Sequence, residues 1–253
     1  MNRIILITGA TSGIGKACAS KFASQHDHII ITGRRTDRLK QLASELEATY
    51  GVRVLPLTFD IRNKEEVEKA IKGLAPEWSP IDVLVNNAGL AVGLNPVQEG
   101  VVDDWERMID TNVKGLLYIS RAVLPGMIQR QSGHVINIGS IAGKEVYPNG
   151  NVYCATKFAV DALTKGMRLD VVKHNVKVTQ IAPGAVETEF SVVRFKGDTE
   201  RADGVYKGFS PLLPEDIADA VLYVASLPEH ININDLVIMP TAQASAVVLD
   251  KKL

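Results

Sequence analysis

The sequence predicts a single doubly wound α/β domain over residues 1–253, built on a seven-stranded parallel sheet. Three observations carry this expectation. Short runs rich in β-branched residues alternate with longer stretches of helical periodicity along the chain. The short runs are apolar throughout, as strands buried on both faces are. A glycine-rich turn joins the first run to the first helical stretch, and right-handed crossovers from such a start wind helices onto both faces.

The strands are expected at 3–7, 28–32, 53–57, 82–86, 134–138, 176–181 and 235–239. Helical stretches fall between them at 13–25, 36–50, 64–74, 101–131 and 152–174. Within 36–50, Leu39, Leu42 and Leu46 stand at i, i+3 and i+7, which makes an amphipathic stripe. The stretch 190–209 is rich in Gly, Lys, Arg and Asp and has weak periodicity. It reads as an excursion from the core, and at a strand C-terminal end such an excursion covers a ligand crevice.

Composition removes several function classes. A length of 253 residues, 46% hydrophobic and 23% charged, suits one large soluble domain with a normal core. The 28 basic and 29 acidic residues leave a net charge of −1, so nothing drives binding to nucleic acid. The apolar opening at 4–7 is too short for a signal peptide, and no stretch approaches the roughly 18 apolar residues of a membrane span. Cys18 and Cys154 lie far apart without CxxC spacing, which points to a reduced, cytoplasmic protein with no structural metal. None of the five histidines pairs with a second ligand at metal-binding spacing.

After the first strand comes Thr8-Gly9-Ala10-Thr11-Ser12-Gly13-Ile14-Gly15. Gly9 permits a tight turn, Gly13 lets the backbone approach a pyrophosphate, and Gly15 lets the helix pack close to the strand. The helix start then offers free N–H groups and a positive dipole end to the anion. This is a Rossmann dinucleotide pattern in its proper context, although the glycines run G-x-x-x-G-x-G rather than G-x-G-x-x-G. The alternative is a turn that holds no ligand.

The second strand ends in Gly33-Arg34-Arg35. A cofactor with a free ribose 2′-hydroxyl finds a carboxylate at this place, and Gly33 offers none. A guanidinium grips a 2′-phosphate by paired hydrogen bonds, so Arg34 and Arg35 select NADP. The competing reading makes them solvated residues at a helix start, where the dipole opposes them.

Ser140 ends the fifth strand, and Tyr153 and Lys157 lie beyond it at i and i+4, one above the other on a helix face. Reduction of a carbonyl needs a proton on oxygen as hydride reaches carbon, and a tyrosine hydroxyl can deliver it. A nearby ammonium favours the tyrosinate that the reverse reaction needs. Ser140 can hydrogen-bond the substrate oxygen.

These motifs, in this order, make the chain resemble the short-chain dehydrogenase/reductase family over nearly its whole length. The resemblance implies that Tyr153 is the proton donor and that Lys157 also holds the nicotinamide ribose. It implies that Asn112, in Asp110-Thr111-Asn112-Val113, completes a catalytic tetrad by binding a water through its amide. It places Asp60 and Ile61 at the adenine, although Asp60 is equally a plain loop or cap residue. It places Asn87-Ala88-Gly89 along the ribose and ring. Pro183-Gly184-Ala185-Val186-Glu187-Thr188 would then turn beside the carboxamide, with Pro183, Gly184, Val186 and Thr188 in contact. It also implies a homotetramer built on the helix before Asn112 and the helix bearing Tyr153. Apolar Ala155, Phe158, Ala159, Ala162 and Leu163 exceed one stripe on the latter.

Segments 104–112, 190–198 and 228–234 are similar to a narrower branch, the NADP-dependent 3-hydroxy acid dehydrogenases, which oxidise serine, allo-threonine and related acids or reduce malonic semialdehyde. Such a substrate carries a carboxylate. Arg194 is the candidate ligand for it, with Tyr147 and Asn151 lining the pocket beside Ser140 and Tyr153. Two other roles stay open for Arg194: exposure to solvent, or contact with a neighbouring subunit. Two other functions stay open for the chain: reduction of a larger ketone such as an acyl thioester or steroid, and NADP binding without catalysis.

Overall fold

The computed structural model describes residues 2–252. Seven parallel strands form one sheet in the order β3-β2-β1-β4-β5-β6-β7, with β1 Ile4–Thr8, β2 His28–Gly33, β3 Val54–Thr58, β4 Val83–Asn86, β5 Gly133–Ile138, β6 Val176–Pro183 and β7 Asp235–Ile238. The sheet is the doubly wound Rossmann sheet expected from the sequence. Successive residues of a strand face opposite sides. In β1, Ile5 and Ile7 therefore enter one core layer with α1 (Gly13–Ala23) and α2 (Thr36–Tyr50), while Ile4 and Leu6 enter the other. That second layer also takes residues from α3 (Lys64–Lys72), α5 (Leu116–Arg130) and α6 (Asn151–Val171). Burial of each large aliphatic side chain contributes about 1.5–3 kcal/mol, so the triplets Ile5–Leu6–Ile7 and Ile29–Ile30–Ile31, fully buried, fix the centre.

Three elements differ from expectation. The helix expected over 101–131 is split into α4 (Val102–Ile109), a π-helical turn at Asp110–Gly115, and α5. The excursion at 190–209 carries two short helices, α7 (Phe190–Arg194) and α8 (Thr199–Tyr206). A ninth helix, α9 (Pro214–Ser226), was not anticipated. Its stripe of Ile217, Ala218, Val221, Val224 and Ala225 is buried in the α1 layer, and Pro214 opens it, a place where proline's missing N–H costs nothing.

A buried amide chain ties the sheet centre to α6. Asn86 Nδ2 donates to Ser120 Oγ (2.9 Å) and Asn137 Oδ1 (2.8 Å), and Asn137 Nδ2 donates to Thr164 Oγ1 (2.9 Å). Asn86 and Asn137 are register partners on β4 and β5, so a slipped register would leave these groups unpaired. The C-terminal ends of the strands on either side of the β1/β4 switch point open into one crevice.

Candidate active site

The crevice is a cleft of about 660 Å³ whose walls come from the loops after β1, β2, β3, β4, β5 and β6. Gly9 (φ 66°) and Gly13 (φ 51°) hold left-handed conformations in the first loop. A Cβ on Gly15 would stand 2.4 Å from both Gly9 O and Asn87 Nδ2, so only glycine permits that approach. Asn87 locks the loop from the other side, donating from Nδ2 to Thr8 O (2.9 Å) and Gly9 O (3.1 Å). Thr8 Oγ1 accepts from the N–H groups of Asn87 and Ala88, both at 3.0 Å. Ser12 gives α1 no side-chain cap, which leaves the helix start open to an anion in the cleft. Thr11, Ser12, Gly13 and Ile14 line the cleft, whereas Gly15 packs beneath it.

Arg34 and Arg35 also line the cleft. Arg35 donates to Thr11 Oγ1 (3.0 Å), Ser12 Oγ (2.9 Å) and Glu189 Oε2 (3.1 Å). Arg34 approaches Asp60 only to 3.9 Å, because Asp60 is engaged by Arg62 at 2.7 Å. Asp60 and Ile61 both border the cleft, and Asp60 Oδ1 accepts from the Arg62 N–H (3.0 Å), so it shapes its own loop whatever else it does. Sequence reasoning missed Arg38, one helical turn beyond Arg35. It donates to Glu189 at 2.9 Å and so shares that carboxylate with Arg35. Spacing i, i+3 on α2 was the available signal.

At the other end of the cleft, Ser140 follows β5 and its Oγ accepts from Ala142 N (3.1 Å). Tyr153 and Lys157 face the cleft from α6 and are only 9% and 7% exposed. Burial raises the Tyr153 pKa far above the usual phenol value, and Tyr147 adds to this, while Arg194 and the Ser140 hydroxyl pull it down. Burial lowers Lys157 to about 8. Lys157 Nζ lies 5.9 Å from the Tyr153 ring centroid and donates to Ile138 O (2.9 Å), and Arg194 is a second cation beside the phenol, one the sequence did not announce.

Asn112 lies in the π-helical turn, a backbone form found often at functional sites. Its amide Nδ2 donates to Leu90 O (2.8 Å) and Thr156 Oγ1 (3.0 Å), and Oδ1 accepts from Leu90 N (2.8 Å). Asn112 thus joins the loop after β4 to α6 directly behind Lys157. Gly89, Pro183, Gly184, Val186 and Thr188 line the cleft, and Thr188 packs over Gly13.

Arg194 enters the cleft from α7. Its guanidinium lies 5.5 Å from the Tyr147 ring, 5.2 Å from the Tyr153 ring and 5.6 Å from the Phe190 ring, and it donates to the Tyr147 hydroxyl. Its Nε is buried without a hydrogen-bond partner, and among the described residues no carboxylate pairs with it. Solvent exposure is thereby excluded as its whole role. Asn151 stands outside the cleft, because its Nδ2 donates to Asn95 O (2.9 Å) at the start of α6. Phe190, Phe209, Ala246 and Leu249 complete the far wall and were not foreseen. Nothing local in the last residues signals that they fold back over the crevice.

A sheet and site of this kind mark an oxidoreductase that works with a nucleotide cofactor. The chain belongs to the short chain dehydrogenase family, whose model matches residues 3–198. It is 50% identical over 244 residues to the NADP-dependent 3-hydroxy acid dehydrogenase of Salmonella typhi, covering 96% of this chain and 97% of that one. It is 44% identical to sulfoacetaldehyde reductase 2 of Chromohalobacter salexigens, covering 99% and 100%. The closed form of serine dehydrogenase complexed with NADP⁺ superposes with a TM-score of 0.92 at 47% identity, covering 99% of this chain and 100% of that structure. Among the described residues no helix is long and apolar enough to cross a membrane.

Proposed function

We propose that the chain is an NADP-dependent dehydrogenase that interconverts a small 3-hydroxy acid, of the serine, allo-threonine or 3-hydroxypropionate type, with the matching semialdehyde or keto acid. The observation that carries this reading is Arg194: a cation inside the cleft, stacked beside the tyrosine, with a buried Nε that has no partner. A carboxylate two carbons from the reacting oxygen fits such a group, because a guanidinium binds it by parallel hydrogen bonds.

The phosphate loop and the arginines after β2 hold NADP(H), which when bound supplies or takes up the hydride. Tyr153 gives a proton to the carbonyl oxygen during reduction. Its burial keeps the phenol protonated and hence ready as an acid. Ser140 donates to the same oxygen. Lys157 spends one of its three donors on Ile138 O, leaving two for the ribose hydroxyls.

Arg194→Met tests the reading. Efficiency on serine or 3-hydroxypropionate should fall by about a hundredfold or more, since a buried charge loses its partner. A neutral alcohol of similar size should lose little. Equal losses on both would reduce Arg194 to a loop-ordering residue and sink the carboxylate assignment. A sulfonated aldehyde belongs in the same screen, because it would present an anion to the same guanidinium.

We further propose a cytoplasmic homotetramer. Val102 and Ile109 of α4, the helix before Asn112, and Phe158 and Leu169 of α6, the helix bearing Tyr153, are exposed in the single chain, as a subunit contact on these helices requires.

A further inference from the structure

Glu189 follows Thr188 at the end of the loop after β6, and its carboxylate reaches across the mouth of the cleft to the start of α2. Oε2 accepts from Arg35 Nη1 at 3.1 Å, and Oε1 accepts from Arg38 Nη1 at 2.9 Å. Arg35 is held at the same time by Thr11 and Ser12 of the phosphate loop. One carboxylate is thus shared by two guanidinia, that of Arg35 in the cleft wall and that of Arg38 one turn further along α2. Partial burial disfavours its charge, but the two arginines outweigh that and hold its carboxyl below the usual range. It stays ionised at neutral pH.

We propose that Glu189 is a resident counter-anion of the 2′-phosphate site, which the phosphate of NADP(H) must displace from Arg35 and Arg38. Glu189 thereby sets how tightly and for how long the phosphorylated cofactor is held. The inference rests on the reading that Arg34 and Arg35 bind that phosphate. Two anions compete for the same donors, so the carboxylate weakens NADP(H) binding while it keeps the guanidinia ordered. NAD(H) carries a hydroxyl at that place and has no such competition to overcome. The next residue, Phe190, packs edge-on against Tyr153 with centroids 5.6 Å apart, so Glu189 stands at the junction of the cofactor and catalytic ends of the cleft.

The test uses the full-length enzyme and measures equilibrium binding of NADP⁺, NAD⁺ and 2′,5′-ADP to the wild type, Glu189→Gln and Arg35→Ala. Glu189→Gln should bind NADP⁺ and 2′,5′-ADP about five to ten times more tightly, with NAD⁺ unchanged within about twofold. Its NADP⁺ Michaelis constant should fall, and kcat should fall with it where cofactor release limits turnover. If Glu189→Gln leaves NADP⁺ binding unchanged or weaker while Arg35→Ala weakens it, the phosphate site stands and the counter-anion role is overturned. If Arg35→Ala leaves NADP⁺ binding unchanged, the assignment of the phosphate site fails and takes this inference with it.

Discussion

Tyr153 shows how far a single residue can be read. Its position four residues before Lys157 told that both share a helix face, and the structure places both in the cleft. The second cation beside its ring was not legible, because Arg194 reaches it from a different element far along the chain. Tyr153→Phe keeps the ring contacts with Phe190 and Arg194 and removes only the transferable proton. Turnover should fall by roughly two to four orders of magnitude with the dissociation constant for NADP⁺ nearly unchanged. Retention of most activity in that variant would take the tyrosine out of its assigned role. Asn112 was legible as a position in the site, but its bonds to Leu90 and Thr156 were not, since no spacing rule announces them.

Among elements, α4 and the segment just past α7 meet through an ion pair. Asp104 is buried on α4, and Lys196, just past α7, reaches its Oδ2 at 2.7 Å. Beside them Gly93 N donates to Arg194 O at 3.0 Å. The pair acts as a clasp that holds Arg194 over the substrate end of the cleft. Lys196→Met should therefore raise the Michaelis constant for the acid substrate about tenfold while leaving NADP⁺ binding alone, and Lys196→Arg should restore it. An unchanged Michaelis constant in the methionine variant would show that the clasp does not position Arg194. The split of the expected 101–131 helix was hidden in the sequence because a π turn inserts a register shift without changing residue type. Helix α9, in contrast, had a readable stripe, and its position after an irregular excursion masked it.

For the molecule as a whole, the number of strands, their parallel direction and the location of the crevice were legible, since periodicity, crossover handedness and the glycine loop determine them together. The excursion at 190–209, which carries α7, was legible as a cover over the crevice, whereas the wall contributed by the last residues was not, because only tertiary packing brings it there. His134 supplies a stability prediction at this scale. Burial, helped by Lys177 and Arg3, lowers it to about 3, and its Nε2 meets Thr179 Oγ1 at 2.8 Å. As pH falls below about 6.5 the unfolded chain binds a proton that the native state refuses. Stability should drop by up to about 1.4 kcal/mol per pH unit from this residue alone, and nothing is lost above neutrality. Urea midpoints between pH 7 and 4.5 should fall more steeply for the wild type than for His134→Gln, and parallel slopes would remove His134 as a cause. The far wall carries one more consequence. Gln243 Oε1 accepts from Ala185 N at 2.8 Å, and Ala246 and Leu249 face the same cleft as Gly9, so a bound ligand braces the first strand's loop against the last residues described. Any opening that separates those ends must first shed the ligand, and a ligand at a hundred times its dissociation constant opposes it by about 2.7 kcal/mol. Resistance to proteolysis should therefore rise with cofactor concentration, and equal digestion rates with and without NADP⁺ would show that the bound ligand does not brace these ends.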